Sequence, residues 1–195
     1  MNLGIITYNK EHKKTQDVLK GLIKKKKYKI TLLTTKFKNF KKREPYFTHR
    51  PYQFVGLKPK QLKKKYDIKI KTLNKNNLEL FEIVILCGSG LINDKMIISD
   101  KIINCHSGLI PETRGLDSFK WSIIKFRKVG NSLHYIDKNI DLGTIISHKV
   151  TKLFKKDTLK SFSNRHYNNE IKMLVNFEKY ISKPKLFRLR KKKVN

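Results

Sequence analysis

The order of the first 35 residues constrains the fold more than any other feature of this chain. An apolar run, Leu3 to Tyr8, gives way to a segment from Lys10 to Lys27 in which Val18, Leu19, Leu22 and Ile23 recur at helical spacing. A β-branched and aromatic run, Tyr28 to Thr35, follows directly. These periods predict strand, helix, strand. Two strands joined by a helical crossover pair in parallel, because a tight turn cannot close a parallel ladder. The chain therefore opens with a βαβ unit.

The remainder keeps that alternation. Residues 37–58 carry Pro45 and Pro51 among Phe, Tyr and Arg residues and read as an excursion too long to be a simple connector. Gln61 to Lys65 suits a short helix, and Ile68 to Leu73 alternates apolar and basic residues as an outer strand does. Glu82 to Cys87 is a continuous apolar run, suited to a central strand covered on both faces. Lys101 to Cys105 predicts another strand, leading into a loop with Gly108, Pro111 and Gly115. Ser118 to Lys128 has helical spacing through Phe119, Ile123, Ile124 and Phe126. Ser132 to Ile136 and Thr144 to Val150 predict strands about the turn Asp137 to Gly143, an antiparallel extension of the sheet. Asp157 to Ile181 predicts a closing helix with Leu159, Phe162, Met173, Leu174, Phe177 and Tyr180 toward the core. The expected fold is α/β: a three-layer Rossmann-like domain over residues 1–181, with a mostly parallel central sheet and an antiparallel extension. Residues 182–195 form a basic tail.

Composition narrows the function. At 195 residues the chain is shorter than a full-size barrel enzyme or a two-domain dehydrogenase, which need on the order of 250. No stretch holds roughly 18 uncharged apolar residues, so no transmembrane helix is expected. The N-terminal run passes straight into charged residues without a basic n-region, which argues against a secretory signal. Cys87 and Cys105 sit in apolar strand-like runs and build no disulfide framework, so a reducing cytoplasm is the expected location. The histidines and cysteines show no paired ligand spacing, and no metal is expected. Lys and Arg number 46 against 15 acidic residues, a formal charge of +31 that invites a nucleic-acid reading. Yet 39 of those cations are Lys and Ala is absent, a pattern of A/T-rich codon use at tolerant surface positions. Bidentate base contacts favour Arg, so nucleic-acid binding ranks below enzymatic function.

Ligands of open parallel sheets bind beyond the carboxyl ends of the strands. Polar residues just after apolar runs are therefore the candidates: Cys87-Gly-Ser-Gly90, Asn104-Cys-His106, and Asp137 to Asp141. On an extended chain Asn104 and His106 project to one side and Cys105 to the other. An amide donor beside an imidazole suits oxyanion stabilisation and proton transfer, and a carboxylate such as Asp141 suits orientation of the ring. By itself an Asn-x-His pair at a strand end is more often a set of satisfied loop hydrogen bonds.

The wider pattern changes that balance. The run Ile102-Ile-Asn-Cys-His-Ser-Gly-Leu-Ile-Pro111 is followed by Arg114-Gly115 and by a helical segment around Trp121. Leu133-His134 comes next, then Asp141-Leu-Gly143 ahead of Ile145-Ile146. In order and spacing, over about Phe81 to Val150, this resembles the folate-dependent formyltransferase family. That family includes glycinamide ribonucleotide formyltransferase, the catalytic domain of methionyl-tRNA formyltransferase and sugar N-formyltransferases. The resemblance implies Asn104, His106 and Asp141 as catalytic residues, with His134, Pro111, Arg114 and Gly115 around them. It implies 10-formyltetrahydrofolate as co-substrate and a small-molecule primary amine as acceptor. The folate pocket is then lined by Gly88, Ser89, Gly90, Leu91, Asn93, Asp137 and Asn139. In this reading the Asn104 amide and a protonated His106 stabilise the formyl oxygen, and Asp141 raises the imidazole pKa.

One departure bears on the acceptor. Glycinamide ribonucleotide formyltransferases carry a Gly/Ser-rich phosphate loop after their first strand, and here Tyr8-Asn-Lys-Glu-His-Lys-Lys-Thr15 holds no Gly. The excursion Pro45 to Val55, with Tyr46, His49, Arg50 and Tyr52, suits a nucleotide-linked amino sugar. The alternatives are glycinamide ribonucleotide or methionyl-tRNA formylation, formyltetrahydrofolate hydrolysis, and a non-catalytic basic nucleic-acid-binding protein.

Overall fold

The computed structural model describes residues 1–37, 47–48, 50–98, 100–138, 141 and 143–182. Seven strands form one sheet, β1 (Asn2–Tyr8), β2 (Lys29–Thr35), β3 (Lys69–Thr72), β4 (Ile83–Leu86), β5 (Ile102–His106), β6 (Gly130–Tyr135) and β7 (Ile145–Val150). Their order across the sheet is β3-β2-β1-β4-β5-β6-β7. The pairs from β3 through to β5 are parallel, and β5–β6 and β6–β7 are antiparallel, as expected.

Helix α1 (Lys13–Ile23) buries Val18, Leu19 and Leu22 against one face of the sheet, where they meet Leu3 and Ile5 of β1. Each such leucine contributes about 2 kcal/mol by leaving water. The same face takes Leu62 from α2 (Pro59–Tyr66), Met173 and Leu174 from α5 (Leu159–Val175), and Phe177 from α6 (Phe177–Ile181). The period of two sends Ile6 and Leu33 to the opposite face. There they pack with Phe81, Val84, Ile102 and Leu78 of α3 (Lys75–Glu79). Gly4 lets this second layer close, since a Cβ there would lie 3.1 Å from Val84 and 3.2 Å from Phe81. Helix α4 (Ser118–Ile124) joins α5 through Phe119 and Phe162, whose ring centroids are 5.6 Å apart.

Several expectations are corrected. The closing helix is two helices, broken at Asn176, because the Lys25 ammonium takes the Val175 carbonyl and the Asn176 side chain donates back to Lys172 O. It starts at Leu159 rather than Asp157, since Thr158 and Ser161 form a reciprocal cap and Asp157 turns out to bind Arg165. Leu159 is exposed, as are Ile124 and Phe126. Helix α3 and a 3-10 turn at Asp94–Met96 carry no apolar period long enough to read. Of the excursion, residues 50–57 pack back on α1, where Lys13 N donates to Gln53 O and Gln16 Nε2 to Val55 O. Tyr46, His49 and the tail 183–195 lie outside the described residues.

Candidate active site

Strand β5 delivers Asn104 and His106 to one side of its carboxyl end, and Cys105 to the core beside Met173. The loop after it folds back over His106. Ser132 of β6 fastens that loop, accepting from Ile110 N and donating to Gly108 O. Thr113 N closes on Leu109 O, which brings the Thr113 carbonyl to the imidazole. A Cβ at Gly108 would lie 2.6 Å from Thr113 O, so this fold-back requires glycine.

The hydrogen bonds determine where each imidazole carries its proton. His106 Nε2 lies 3.1 Å from Thr113 O and 2.8 Å from Ser118 Oγ. A carbonyl oxygen only accepts, and Ser118 Oγ already donates to Gly115 O, so Nε2 bears the hydrogen. Nδ1 faces Asp141 Oδ2 at 3.4 Å, longer than an ordinary N–H···O bond. Burial lowers the His106 pKa below its ordinary value, and the Asp141 charge only partly offsets this. The ring is therefore neutral near pH 7, not the imidazolium expected from the sequence. The reason is that the ring is buried while the carboxylate stands off.

His134, opposite Asn104 in the β5–β6 ladder, has the other tautomer. Its Nδ1–H donates to Tyr135 O at 2.9 Å, and its Nε2 accepts from Asn104 Nδ2 at 3.2 Å. Burial, again opposed by Asp141, lowers its pKa to about 4. The neutral ring fixes the Asn104 amide with Nδ2 toward it and leaves the second N–H to point elsewhere. Asp141 itself sits at φ +52°, a left-handed conformation that Asp tolerates. Its Oδ2 accepts from Gly115 N at 2.8 Å, and Oδ1 lies 3.8 Å from His134 Nε2. A Cβ at Gly143 would collide with Tyr135 O, so only glycine lets the turn press against β6. Asn104, His106, His134 and Asp141 thus meet as one amide donor beside an imidazole lone pair and a carboxylate.

The other residues singled out in the sequence fall in different places. Gly88 is tight because a Cβ would meet His12 and Tyr8 at 2.9 Å, not because of a positive φ. Tyr8 Oη donates to Ser89 O, and Ser89 Oγ donates to Gly90 O. Beyond them the space around Gly90 is open and Leu91 is 86% exposed. Asn93 caps the 3-10 turn by accepting from Lys95 N. Asp137 is half-buried, and Asn139 lies outside the described residues. Arg114 is exposed, and Pro111 lines a surface hollow with Glu112, Arg127 and Lys128. Among the described residues, no three His, Cys, Asp or Glu side chains are placed to hold a metal ion. Nor is any described helix long and apolar enough to cross a membrane.

A second polar cluster was missed from the sequence. Glu170 of α5 is 1% exposed and meets Lys14 Nζ at 2.6 Å and Arg50 Nη2 at 3.6 Å. Burial would raise the Glu170 pKa, but the Lys14 and Arg50 charges outweigh it and hold the group near 2. The legible signal was its position: Phe162, His166, Glu170 and Leu174 share one helical stripe, so an acid there needs a buried partner. Nearby, His12 is buried against Tyr8 and Phe54, and Phe37 packs edge-on to Tyr8 and Phe54. Lys10 Nζ stands 4.7 Å and 4.9 Å from the Phe37 and Phe54 centroids.

The mixed sheet, with a polar cluster at the carboxyl end of its fifth strand, defines a Rossmann-like α/β protein. Residues 9–177 match the model of the formyl transferase family, and the chain belongs to that family. It is 30% identical over 121 residues to phosphoribosylglycinamide formyltransferase of Bacillus subtilis, covering 60% of this chain and 62% of that one. The chain spans less than two thirds of the length of the curated relatives it matches. Among solved structures, phosphoribosylglycinamide formyltransferase from Bacillus halodurans superposes with a TM-score of 0.66 at 19% identity, over 94% of this chain and 96% of that one. The formyltransferase PseJ from Anoxybacillus kamchatkensis, solved with UDP-4,6-dideoxy-4-formamido-L-AltNAc and tetrahydrofolate, gives 0.58 at 18% identity, over 93% and 77%. At these identities the superpositions establish the fold.

Proposed function

We propose that this protein transfers a formyl group from 10-formyltetrahydrofolate to a primary amine. The observation that carries the reading is the convergence of His106 Nδ1 and, through His134, of the Asn104 amide on the two oxygens of the Asp141 carboxylate. A flat pterin ring suits the open backbone at Gly90 and the exposed Leu91 side chain. Gly88 and Ser89, already packed under Tyr8, shape that loop from beneath. When bound, the folate supplies an activated formyl group.

Asn104 Nδ2 donates to the formyl oxygen as negative charge builds there while the amine nitrogen bonds to the formyl carbon. His106 Nδ1 accepts the proton the amine loses, and Asp141 stabilises the imidazolium so formed. The carbon's bond to the folate nitrogen then breaks, and that nitrogen recovers a proton from His106. This order differs from a resting imidazolium: the ring starts neutral, accepts first and donates second.

For the acceptor we favour a nucleotide-linked amino sugar. Tyr52, 70% exposed at the edge of Phe54, offers a ring face to a base, and Lys10 offers charge to a diphosphate. The loop after β1 has no glycine to bring backbone amides around a terminal phosphate. Release of tetrahydrofolate would be followed with UDP- and dTDP-linked amino sugars, with glycinamide ribonucleotide, and with no amine. Turnover only with sugar nucleotides supports both parts of the proposal. Preference for glycinamide ribonucleotide overturns the acceptor, and equal turnover without amine makes the protein a hydrolase. No turnover, with salt-sensitive polynucleotide binding instead, overturns the whole reading.

A further inference from the structure

A closed circuit of polar contacts runs around His106. His106 Nε2–H donates to Ser118 Oγ at 2.8 Å, and Ser118 Oγ–H donates to Gly115 O at 2.8 Å. Gly115, at φ +77°, turns its own N–H to Asp141 Oδ2 at 2.8 Å, and that oxygen faces His106 Nδ1 at 3.4 Å. Ser118 is fully buried, and Ser122 behind it donates to Ser118 O.

A neutral imidazole has one proton and two places for it. With only Asp141 in reach, the proton would sit on Nδ1, because donation to a carboxylate is charge-assisted and about twice as strong as a neutral bond. That form has no lone pair on Nδ1 left to take a proton. The two acceptors at Nε2, Ser118 Oγ and Thr113 O, compete with Asp141 for the same proton. Ser118 makes the shorter of the two contacts and also ties the Gly115 peptide that fixes Asp141.

We infer that Ser118 is a positioning residue that holds the single proton of His106 on Nε2 and so keeps Nδ1 open as the proton acceptor. The inference rests on the formyl-transfer reading for its kinetic consequence, not for the tautomer itself. The charged and titratable groups around His106 are Asp141 from the β6–β7 turn, His134 from β6, Glu170 from α5 and Arg50 from the excursion. None of them supplies an acceptor at Nε2 among the contacts described for that atom.

The test is the ¹⁵N resonances of the His106 ring in the full chain, with steady-state kinetics, for wild type, Ser118→Ala and Ser118→Cys. The wild type should show its proton on Nε2. In Ser118→Ala the Nδ1–H form should gain population, kcat should fall about tenfold with KM within twofold, and the acidic limb should move to lower pH. Cysteine refills the volume but accepts weakly, so Ser118→Cys should resemble Ser118→Ala if bonding matters. Recovery of both signals in the cysteine variant, or an unchanged tautomer in the alanine variant, overturns the inference. A shifted tautomer in a protein that never transfers formyl groups retires the formyl-transfer reading and leaves the proton-holding role of Ser118 standing.

Discussion

Two of the buried polar clusters among the described residues, the one at the end of β5 and the one around Glu170, resolve burial in opposite ways. At the end of β5 the imidazoles of His106 and His134 are neutral, although Asp141 stands near both. Between α1 and α5, Glu170 is as deeply buried and remains charged. The difference is contact distance and alternatives. Lys14 meets Glu170 at 2.6 Å with Arg50 behind it, whereas Asp141 is 3.4 Å from His106 and the ring has two neutral acceptors on its other side. Desolvation acts on every buried group, and only a partner at bonding distance overcomes it. On the mechanism proposed above, one cluster moves protons and the other holds charge still.

The strongest way to break that contrast is to remove its mobile half. His106→Ala and Asp141→Asn should each reduce kcat by about 10²–10⁴-fold while far-ultraviolet circular dichroism stays unchanged. Activity within tenfold of wild type in either variant would take that residue out of the proton pathway.

The static half is probed by leaving a charge alone. Lys14→Met should lower unfolding stability by about 3 kcal/mol in urea titrations, because Glu170 loses its nearest partner. Adding Glu170→Gln to that variant should recover more than half of the loss. If it does not, Lys14 stabilises through packing of its stem rather than by pairing.

Acid separates the two clusters on the pH axis. His12 and His134 have folded pKa values near 4 against an ordinary 6.5, so the unfolded chain binds more protons in that window. Their contribution to stability is complete above pH 6.5 and is lost as pH falls toward 4. The slope is about 1.4 kcal/mol per pH unit for each proton. Glu170, held down near 2 against 4.5, keeps its contribution above pH 4.5 and loses it only below. Unfolding free energies from pH 8 to 3 should fall mainly in the histidine window, and His134→Gln should flatten that fall. An unchanged slope in the variant would mean that His134 is not neutral in the fold.

The smallest effect is the control away from both. Phe126 is 99% exposed at φ +49°, so Phe126→Gly should leave turnover unchanged and shift stability by roughly 0.5 kcal/mol at most, upward. A clear loss would show that this side chain is covered by something in solution.

Much of the scaffold was legible because secondary structure writes a period. The apolar run Leu3 to Tyr8, the helical stripe Val18-Leu19-Leu22 and the continuous run ending at Cys87 each named an element, and the stripe named the buried face of its helix. Asn104 and His106 could be placed on one side of a strand end by the same rule. Short α3 has no room for a period, and the break at Asn176 depends on Lys25, far away in the chain.

By itself, then, the amino-acid order determined the strand succession and the longer helices, the mixed sheet, and which polar residues would stand at its carboxyl edge, since side-chain direction follows from local backbone geometry. Protonation was decided only by the tertiary structure. The proton on His106 Nε2 depends on Thr113 and Ser118, the neutrality of His134 on its burial opposite Asn104, and the charge on Glu170 on a lysine from the first helix. A pKa is set by what lies within a few ångströms in space, and residues distant in sequence reach that range only once the chain has folded.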